Sequence, residues 1–182
     1  MTLNAAKRKR LVVEAVPGCA PEIGRMLWLL GDARDRTRRG LDGIDAAAID
    51  RTGGANGHSI GTLLYHVAAI EMDWLATEVM EGKLPDHVWD AFPYDVRDDT
   101  GRLTHVSGYS LNTHLQRLKG VRGLLLEVYR AMTLEDYRRV RFLPDYDVTP
   151  EWVLHHLCQH EAEHRDEIIA LRAAAEANRN KD

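Results

Sequence analysis

Apolar residues recur at helical spacing in four segments of the chain, and polar stretches containing glycine or proline separate them. The four segments cover about residues 21–41, 60–80, 107–132 and 150–175. Pro21 and Pro150 suit the first turn of a helix, and Ser59 suits the N-cap of the second segment. The sequence therefore predicts an all-α fold, a four-helix bundle whose connections fit either an up-down or a crossed topology.

The connection between the second and third segments is unusually long. Residues 82–102, GKLPDHVWDAFPYDVRDDTGR, are too rich in proline, glycine and aspartate to form one element. A connection of this length inside a compact domain is often functional. Its aromatic residues Trp89, Phe92 and Tyr94 are expected either to cover a site or to anchor the connection. Residues 137–144 are expected to contain a short extended piece.

Length and charge limit the classes of protein to consider. A chain of 182 residues is most simply one domain, and we expect an N-terminal extension over residues 1–20 before a bundle over residues 21–182. The net charge of −4 gives no reason to expect nucleic acid as a partner. The basic runs KRKR (7–10) and RDRTRR (34–39) are expected to be a solvated terminus and a solvated helix face.

Hydropathy and cysteine content bear on the compartment. No stretch approaches the about 20 apolar residues that span a bilayer, so no membrane partner is expected. The two cysteines, Cys19 and Cys158, are too few for a disulfide framework and are typical of a reducing compartment. The sequence thus indicates a cytoplasmic location.

The fourth segment contains four of the nine histidines, in the stretch HHLCQHEAEHRDE (155–167). On a helical wheel His160 and His164 lie about 40° apart, in the middle of the apolar stripe. His155 lies on the opposite, solvent side of the helix, and His156 borders the stripe. Two of these histidines are therefore predicted to point into the bundle.

A shared metal ion accounts for these two buried histidines better than packing alone. Each buried imidazole needs partners for both nitrogens, and an apolar stripe supplies few. A spacing of four residues places two imidazoles about 6 Å apart on one face, which suits a single divalent ion. His66 lies inside the apolar stripe of the second segment, and helices two and four of a bundle can face each other. His66, His160 and His164 would then leave one position open, as in catalytic zinc sites.

The stretch HEAEH (160–164) also fits the H-E-x-x-H pattern, in which Glu161 would be the general base of a metalloprotease. Such patterns take a third ligand downstream. Only 18 residues follow His164, and none of them is a histidine. The protease hypothesis is therefore not favoured, and Glu161 is left as a candidate base or as a residue at the edge of the bundle.

Two motifs in order identify a family resemblance. SIGTLLYHVAAIEMDWL (59–75) followed by TPEWVLHHLCQHEAEHRDEI (149–168) resembles the DinB-like (DinB/YfiT) superfamily of metalloenzymes, over about residues 21–175. The resemblance implies a four-helix bundle, frequently dimeric. It also implies a divalent metal held by one histidine of the second helix and an H-x-x-x-H pair of the last. Those positions are His66, His160 and His164 here.

Members of this superfamily include transferases and isomerases that use mycothiol or bacillithiol, and many have no known activity. The resemblance implies a metal-dependent enzyme, frequently dimeric, that uses a low-molecular-weight thiol. An open coordination position could hold a thiol or a water molecule, so we expect a zinc- or nickel-dependent S-transferase or hydrolase that acts on a small molecule as a homodimer. The alternative is a non-enzymatic metal-binding stress-response protein with the same fold. Many relatives have H-R-G-Q where this chain has HRDE, and Glu167 lies near the metal face.

Further site residues follow from the helical wheels. Asp73 lies about 20° from His66, two turns further along the second helix, and is a candidate to orient a ligand or substrate. Its alternative role is an interhelical salt bridge. His156 and Glu167 are expected to support the metal ligands from behind. Trp74 and Trp152 are expected to pack in the core rather than to stack on a substrate.

Overall fold

The structure is a computed structural model that describes residues 11–179. The basic run 7–10 and both outer ends of the expected domains therefore lie outside the described residues. The helices are α1 (Pro21–Gly40), α2 (Ile60–Trp74), α3 (Leu111–Ala131), α4 (Leu134–Arg138) and α5 (Pro150–Arg179). The long helices α1, α2, α3 and α5 form a bundle, so the predicted all-α fold is confirmed. No helix within residues 11–179 is both long and apolar enough to cross a bilayer.

The helix starts follow from their capping residues. Ser59 Oγ accepts a hydrogen bond from the backbone N–H of Thr62 at 3.1 Å, as expected for the N-cap of α2. The third helix begins at Leu111 rather than near residue 107. Gly108 has a φ of +80°, which no right-handed helix contains, and Ser110 then caps α3. The prediction for this boundary was therefore wrong by one turn.

The second helix changes geometry at its C-terminal end. Residues Leu75–Val79 continue α2 as one π-helical turn, so the predicted helix over about 60–80 is present but is not uniformly α-helical. Such turns widen the helix locally and are frequent beside functional sites. Glu78, within this turn, is buried and accepts a hydrogen bond of 2.6 Å from the hydroxyl of Tyr146.

The helices pack in a closed ring, in which α1 contacts α3 and α5, and α2 also contacts α3 and α5. Helices α2 and α5 are antiparallel, because His66 meets His160 while Trp74, two turns later, meets Trp152. Helices α1 and α5 are parallel, because Arg34 contacts Glu161 and the end of α1 contacts Arg172. Because α1 and α2 both contact α3 and α5, these two consecutive helices occupy opposite corners of the bundle. The topology is therefore crossed.

Helices α2 and α3 are neighbours that run parallel. Gly61 near the start of α2 lies beside His114, and Glu71 near its end contacts Arg122. The chain must therefore return along the 15-residue α2, about 22 Å, before α3 begins. The long connection that the sequence shows over 82–102 is this return, which we call the crossover. It contains a short 3-10 helix over Asp86–Ala91.

The aromatic residues of the crossover anchor it to α2. The backbone carbonyl of Tyr94 accepts a hydrogen bond of 2.6 Å from the hydroxyl of Tyr65. The backbone N–H of Tyr94 donates to the same hydroxyl. Phe92 packs edge-on against the Tyr65 ring at 6.0 Å. Tyr65 is fully buried. These aromatic residues were expected either to cover a site or to anchor the connection, and the contacts of Phe92 and Tyr94 show anchoring.

A short hairpin follows α4. Strand β1 (Arg141–Phe142) pairs antiparallel with β2 (Asp147–Val148), with Arg141 opposite Val148. The extended piece expected over 137–144 is therefore only two residues long, because α4 extends to Arg138. The apolar core lies between the four long helices in two main clusters.

Four charged side chains, one from each long helix, form an ion network inside the bundle. Arg34 donates to Glu71 and to Glu161, each at 2.7 Å. Arg122 donates to Glu71 at 2.6 Å and to Glu161 at 3.2 Å. Burial alone would raise the pKa of Glu71, but Arg122 and Arg34 hold it below its ordinary value. The prediction that the whole run 34–39 is solvated was therefore wrong for Arg34, whose charge is paired instead of hydrated.

The residues before α1 return along its first turns. The N–H of Val16 donates to the carbonyl of Gly24 at 3.0 Å. A Cβ at residue 24 would lie 2.6 Å from the Val16 carbonyl oxygen. Only glycine therefore permits this close approach.

Candidate metal centre

Three histidine side chains from two neighbouring helices meet inside the bundle. His66 comes from α2, and His160 and His164 come from successive turns of α5. One ring nitrogen of each lies within 4.8 Å of the other two. The Nε2 atoms of His66 and His160 are 3.1 Å apart. Nitrogen ligands of a tetrahedral zinc ion lie about 3.3 Å from one another, so this donor set fits one ion.

The start of α2 fixes the position of His66. Thr62 lies one helical turn before His66, and its hydroxyl donates to the carbonyl of Val106 at 3.3 Å and accepts from the Val106 N–H at 3.1 Å. These bonds join the segment between the crossover and α3 to the first turn of α2. The rotation of α2 that directs His66 toward α5 is therefore held by both the Ser59 cap and this contact.

The three imidazoles are neutral near pH 7. Burial, with a smaller contribution from His164, lowers the pKa of His66 to about 3. Burial also lowers the pKa of His160 to about 3. The pKa of His164 is lowered by burial as well, although Glu167 opposes the shift. Metal ions bind the unprotonated ring nitrogen, so the site presents its ligands in the binding form.

The second nitrogen of His66 departs from the usual pattern of metal sites. His66 is 4% exposed, and its Nδ1 has no hydrogen-bond partner within the part of the chain that the structure describes. A ligating histidine usually donates this N–H to an acceptor, which fixes its orientation. Here the ring is oriented by its contacts with the His160 and His164 rings, at centroid distances of 5.0 and 4.8 Å.

A carboxylate stands behind His164. Glu167 Oε2 lies 3.7 Å from the Nδ1 of His164, and Glu167 Oε1 lies 2.8 Å from the Nδ1 of His58. The side chain is half-buried, so these interactions are screened less than on the open surface. Glu167 thus lies beside the candidate ligand His164, on the metal face where the sequence predicted it. It bridges that ligand to the residue preceding the cap of α2.

The sequence matches the model of the DinB superfamily over residues 29–168. This range contains most of α1, all of α2 and α3, and the turns of α5 with the histidines. The chain belongs to the DinB superfamily. The resemblance indicated by its two motifs is confirmed.

A solved structure has the same fold. The crystal structure of a conserved protein from Enterococcus faecalis superposes with a TM-score of 0.64 at 16% sequence identity, covering 81% of this chain and 92% of that chain. At this identity the likeness shows the fold alone. No curated protein matches this chain.

Next to the histidines of this DinB superfamily member is a cluster of aromatic rings. His156 stacks on Trp152 at an interplanar angle of 6° and a centroid distance of 5.1 Å, and it contacts Trp74 at 4.4 Å. Its ring is 5.8 Å from that of His160. Trp152 is 47% exposed, so the expectation that it packs in the core was wrong. The cluster instead forms a partly open wall that continues from the histidines along α2 and α5.

Asp73 lies at the far end of this wall. It is seven residues after His66, about 10 Å along α2, and it is half-buried. Burial raises its pKa above the ordinary value, and its charge influences Glu78 and Tyr146. No ion pair of Asp73 occurs among the described residues. The role of Asp73 in orienting a ligand or substrate stays a prediction.

Glu161 has different neighbours from those that the H-E-x-x-H pattern implied. It is 2% exposed, so the expectation of a position at the edge of the bundle was wrong. Its two carboxylate oxygens accept hydrogen bonds from Arg34 and Arg122. The wheel could not show this, because the two arginines come from other helices. The role of Glu161 as a base stays a prediction that its contacts do not support.

Two basic groups lie beside the centre: His58, which the sequence places just before the second helix and outside its buried stripe, and Arg97. His58 contacts Glu167, as described above, and lines an open cavity of about 410 Å³ that also includes Thr62 and Arg102. Arg97, in the crossover, contributes to the lowered pKa of both His66 and His160. Neither residue lies in a periodic segment, so no helical wheel could assign it to the site. The glycine-rich loop RTGGANGHS (51–59), directly before α2, was the available signal for His58.

Proposed function

We propose that this protein is a divalent-metal-dependent enzyme whose ion is held by His66, His160 and His164. The observation that carries the proposal is the convergence of three neutral, largely buried ring nitrogens within 4.8 Å of one another. Unprotonated ring nitrogens that are buried without a hydrogen-bond donor are costly, and one shared cation would satisfy all three. Imidazole ligands suit zinc and nickel, which are the ions we propose.

Three protein ligands leave a coordination position for water, a thiol or another small molecule. When bound, the ion would lower the pKa of a coordinated water or thiol and so supply a nucleophile at neutral pH. Histidines carry no negative charge, so the ion would keep its full charge. This supports an S-transferase using a low-molecular-weight thiol, or a hydrolase, with a small molecule as substrate.

The surrounding residues have separate tasks in this proposal. Glu167 orients His164 and accepts a hydrogen bond from the Nδ1 of His58, which places a hydrogen-bond donor next to the centre. His156 supports His160 from the aromatic wall. Asp73 orients the part of the substrate furthest from the ion. We further propose that the protein acts as a homodimer, as the family resemblance implies, and in the cytoplasm, as its two cysteines indicate.

Elemental analysis of protein purified without a metal-affinity tag tests the site. We expect about one divalent ion per chain, and loss of most of it in His66→Ala, His160→Ala and His164→Ala variants. The matched control is His155→Ala, since His155 is exposed on the same helix. Equal, graded losses in all four variants would show loose binding by the histidine-rich helix and would exclude the three-histidine site.

A screen of zinc- and nickel-loaded protein with low-molecular-weight thiols and electrophilic acceptors, and with ester and amide substrates, then tests catalysis. Activity that requires His160 and is lost on chelation would support the enzyme. The alternative, a non-enzymatic metal-binding protein, predicts a stable ion with no accessible coordination position. Binding of a small exogenous thiol to the cobalt-substituted protein, seen in its visible absorption spectrum, would argue against that alternative.

A further inference from the structure

A cavity of about 580 Å³ lies between α3 and the crossover. Its volume is within the range of small-molecule sites. The lining is mainly apolar and aromatic, with Met72 from α2, Phe92 and Pro93 from the crossover, and Val121 and Leu124 from α3. Met72 lies about 120° around α2 from His66, so this cavity opens on a different face from the histidines.

One buried cation lines the cavity. Arg117 is 9% exposed, and its guanidinium lies over the ring of Tyr65 at 4.9 Å and over that of Tyr109 at 5.2 Å. Its Nε donates to the carbonyl of Ala91 at 2.7 Å. Its Nη1 lies 3.3 Å from the Nδ1 of His114. The guanidinium is therefore held in place by the crossover on one side and α3 on the other.

Arg117 has no acidic partner within residues 11–179, in contrast to the buried Arg34 and Arg122. Burying a guanidinium without a carboxylate is costly, and the tyrosine rings offset only part of that cost. The hydrogen bonds of Arg117 use Nε and Nη1 and leave Nη2 for another acceptor. Asp90 is the one acidic residue of the lining, and it is exposed at the rim, where solvent screens it.

We propose that this cavity binds a small amphipathic carboxylate. The carboxylate pairs with the guanidinium of Arg117, and the apolar body of the ligand lies against Met72, Phe92 and Leu124. Arginine is the side chain best suited to this task, because its planar fork matches a carboxylate. The site is separate from the three histidines, and it goes beyond the function proposed for them.

The glycines of α3 allow a test that leaves Arg117 intact. Gly120 lines the cavity, and a Cβ there meets nothing within 4 Å, so Gly120→Leu places a side chain in open space at its edge. Gly123 is equally unobstructed on the same helix but does not line the cavity. Leucine is a better helix former than glycine, so both variants are expected to fold. Gly123→Leu is therefore a matched control.

The probe is 1-naphthylacetate, with 1-naphthylacetamide as its uncharged counterpart, titrated calorimetrically into the full chain. We expect saturable binding of the acid, and binding of the amide that is weaker by at least about tenfold, the effect of losing one charged hydrogen-bond partner. Gly120→Leu should abolish binding of the acid, while Gly123→Leu should leave it unchanged. Arg117→Lys should weaken it by about tenfold or more.

Three results would overturn the proposal. The first is equal affinity for acid and amide, or no binding of either. The second is binding that survives Gly120→Leu but is lost in His160→Ala, which would place the carboxylate at the metal. The third is a dimer in light scattering that Gly120→Leu alone converts to a monomer, which would show that a second copy of the chain covers the cavity. Loss of metal in His160→Ala with intact binding of the acid would support the independence of the two sites.

Discussion

The Nε2 atoms of His66 on α2 and His160 on α5 lie 3.1 Å apart. Without an ion, this contact requires one of the two nitrogens to carry a proton and the other to accept it. With an ion, both nitrogens are unprotonated and point at the same charge. The contact between His66 and His160 can therefore hold α2 against α5 both with and without an ion. Removal of the metal is then expected to leave this interface in place.

Chelation is expected to lower the melting temperature without unfolding the protein. The interior clusters and the ion network hold the bundle independently of the histidines. An ion whose free concentration is 100 times its dissociation constant adds only about 2.7 kcal/mol to the free energy of unfolding. Circular dichroism before and after treatment with a chelator measures the change. Complete loss of helical signal would instead assign the ion a structural role.

Glu167→Gln is expected to weaken metal binding by about 10–100-fold, because the carboxylate no longer supports the Nδ1 of His164. The control is Glu163→Gln on the same helix, since Glu163 is exposed and, in the part of the chain that the structure describes, its carboxylate accepts a hydrogen bond from Gln159 rather than from a histidine. Competition with a colorimetric zinc chelator measures both affinities. Identical affinities for the two variants would remove Glu167 from the site.

Glu161→Ala is expected to lower the free energy of unfolding by about 3–5 kcal/mol, because it leaves Arg34 and Arg122 with an incomplete set of buried partners. Glu161→Gln should cost less, since an amide oxygen still accepts one hydrogen bond. The exposed Glu163→Ala serves as the reference, with an expected change within about 0.5 kcal/mol. Urea denaturation of the metal-free proteins gives the three values. A stable Glu161→Ala variant lacking only activity would restore Glu161 as a catalytic base.

His114 is expected to make the metal-free protein less stable in acid. It is fully buried, and burial followed by the charge of Arg117 lowers its pKa to about 4. The unfolded chain takes up the proton near pH 6.5, so the stabilisation is complete above that pH and is lost as the pH falls toward 4. Between pH 7 and 4.5 the effect is about 2–3 kcal/mol.

Replacing His114 by phenylalanine tests this directly. The variant should lose less stability than the wild-type protein between pH 7 and 4.5, because the other histidines titrate equally in both. His155→Phe, at an exposed position of α5, should keep the wild-type pH dependence. Parallel stability curves for wild type and His114→Phe would show that burial of His114 has no energetic link to protonation.

Periodicity was sufficient to predict the bundle and the three histidines that meet. Each of those histidines lies within the apolar stripe of its own helix, and an apolar stripe is a local property of the sequence. The structure brings them together because α2 and α5 are neighbours, which the family resemblance also implied. Whether they bind an ion remains a prediction.

Hydrophobic periodicity could not predict the ion network or the basic groups near the centre. A charged residue such as Arg34 is ordinarily solvated, and its burial depends on Glu71 and Glu161, which are 37 and 127 residues away in sequence. His58 is held by a glycine-containing turn, whose path depends on φ angles of +69° at Gly54 and Gly57. Arg97 depends on the route of the crossover. Pairing over such separations is a tertiary property, and no local pattern encodes it.

Because α2 and α3 are parallel, the crossover between them and the helices that carry the histidines are different stretches of the sequence. Substitutions in the one need not affect the other. The three histidines belong to α2 and α5, while the crossover that returns to α3 supplies no member of the triad. Crossover residues other than those that anchor it to Tyr65 can therefore change, and so remodel what surrounds the centre, without moving the helices that present the histidines. Selection on the surroundings of the centre and selection on the histidines themselves can then act on different stretches of the same sequence.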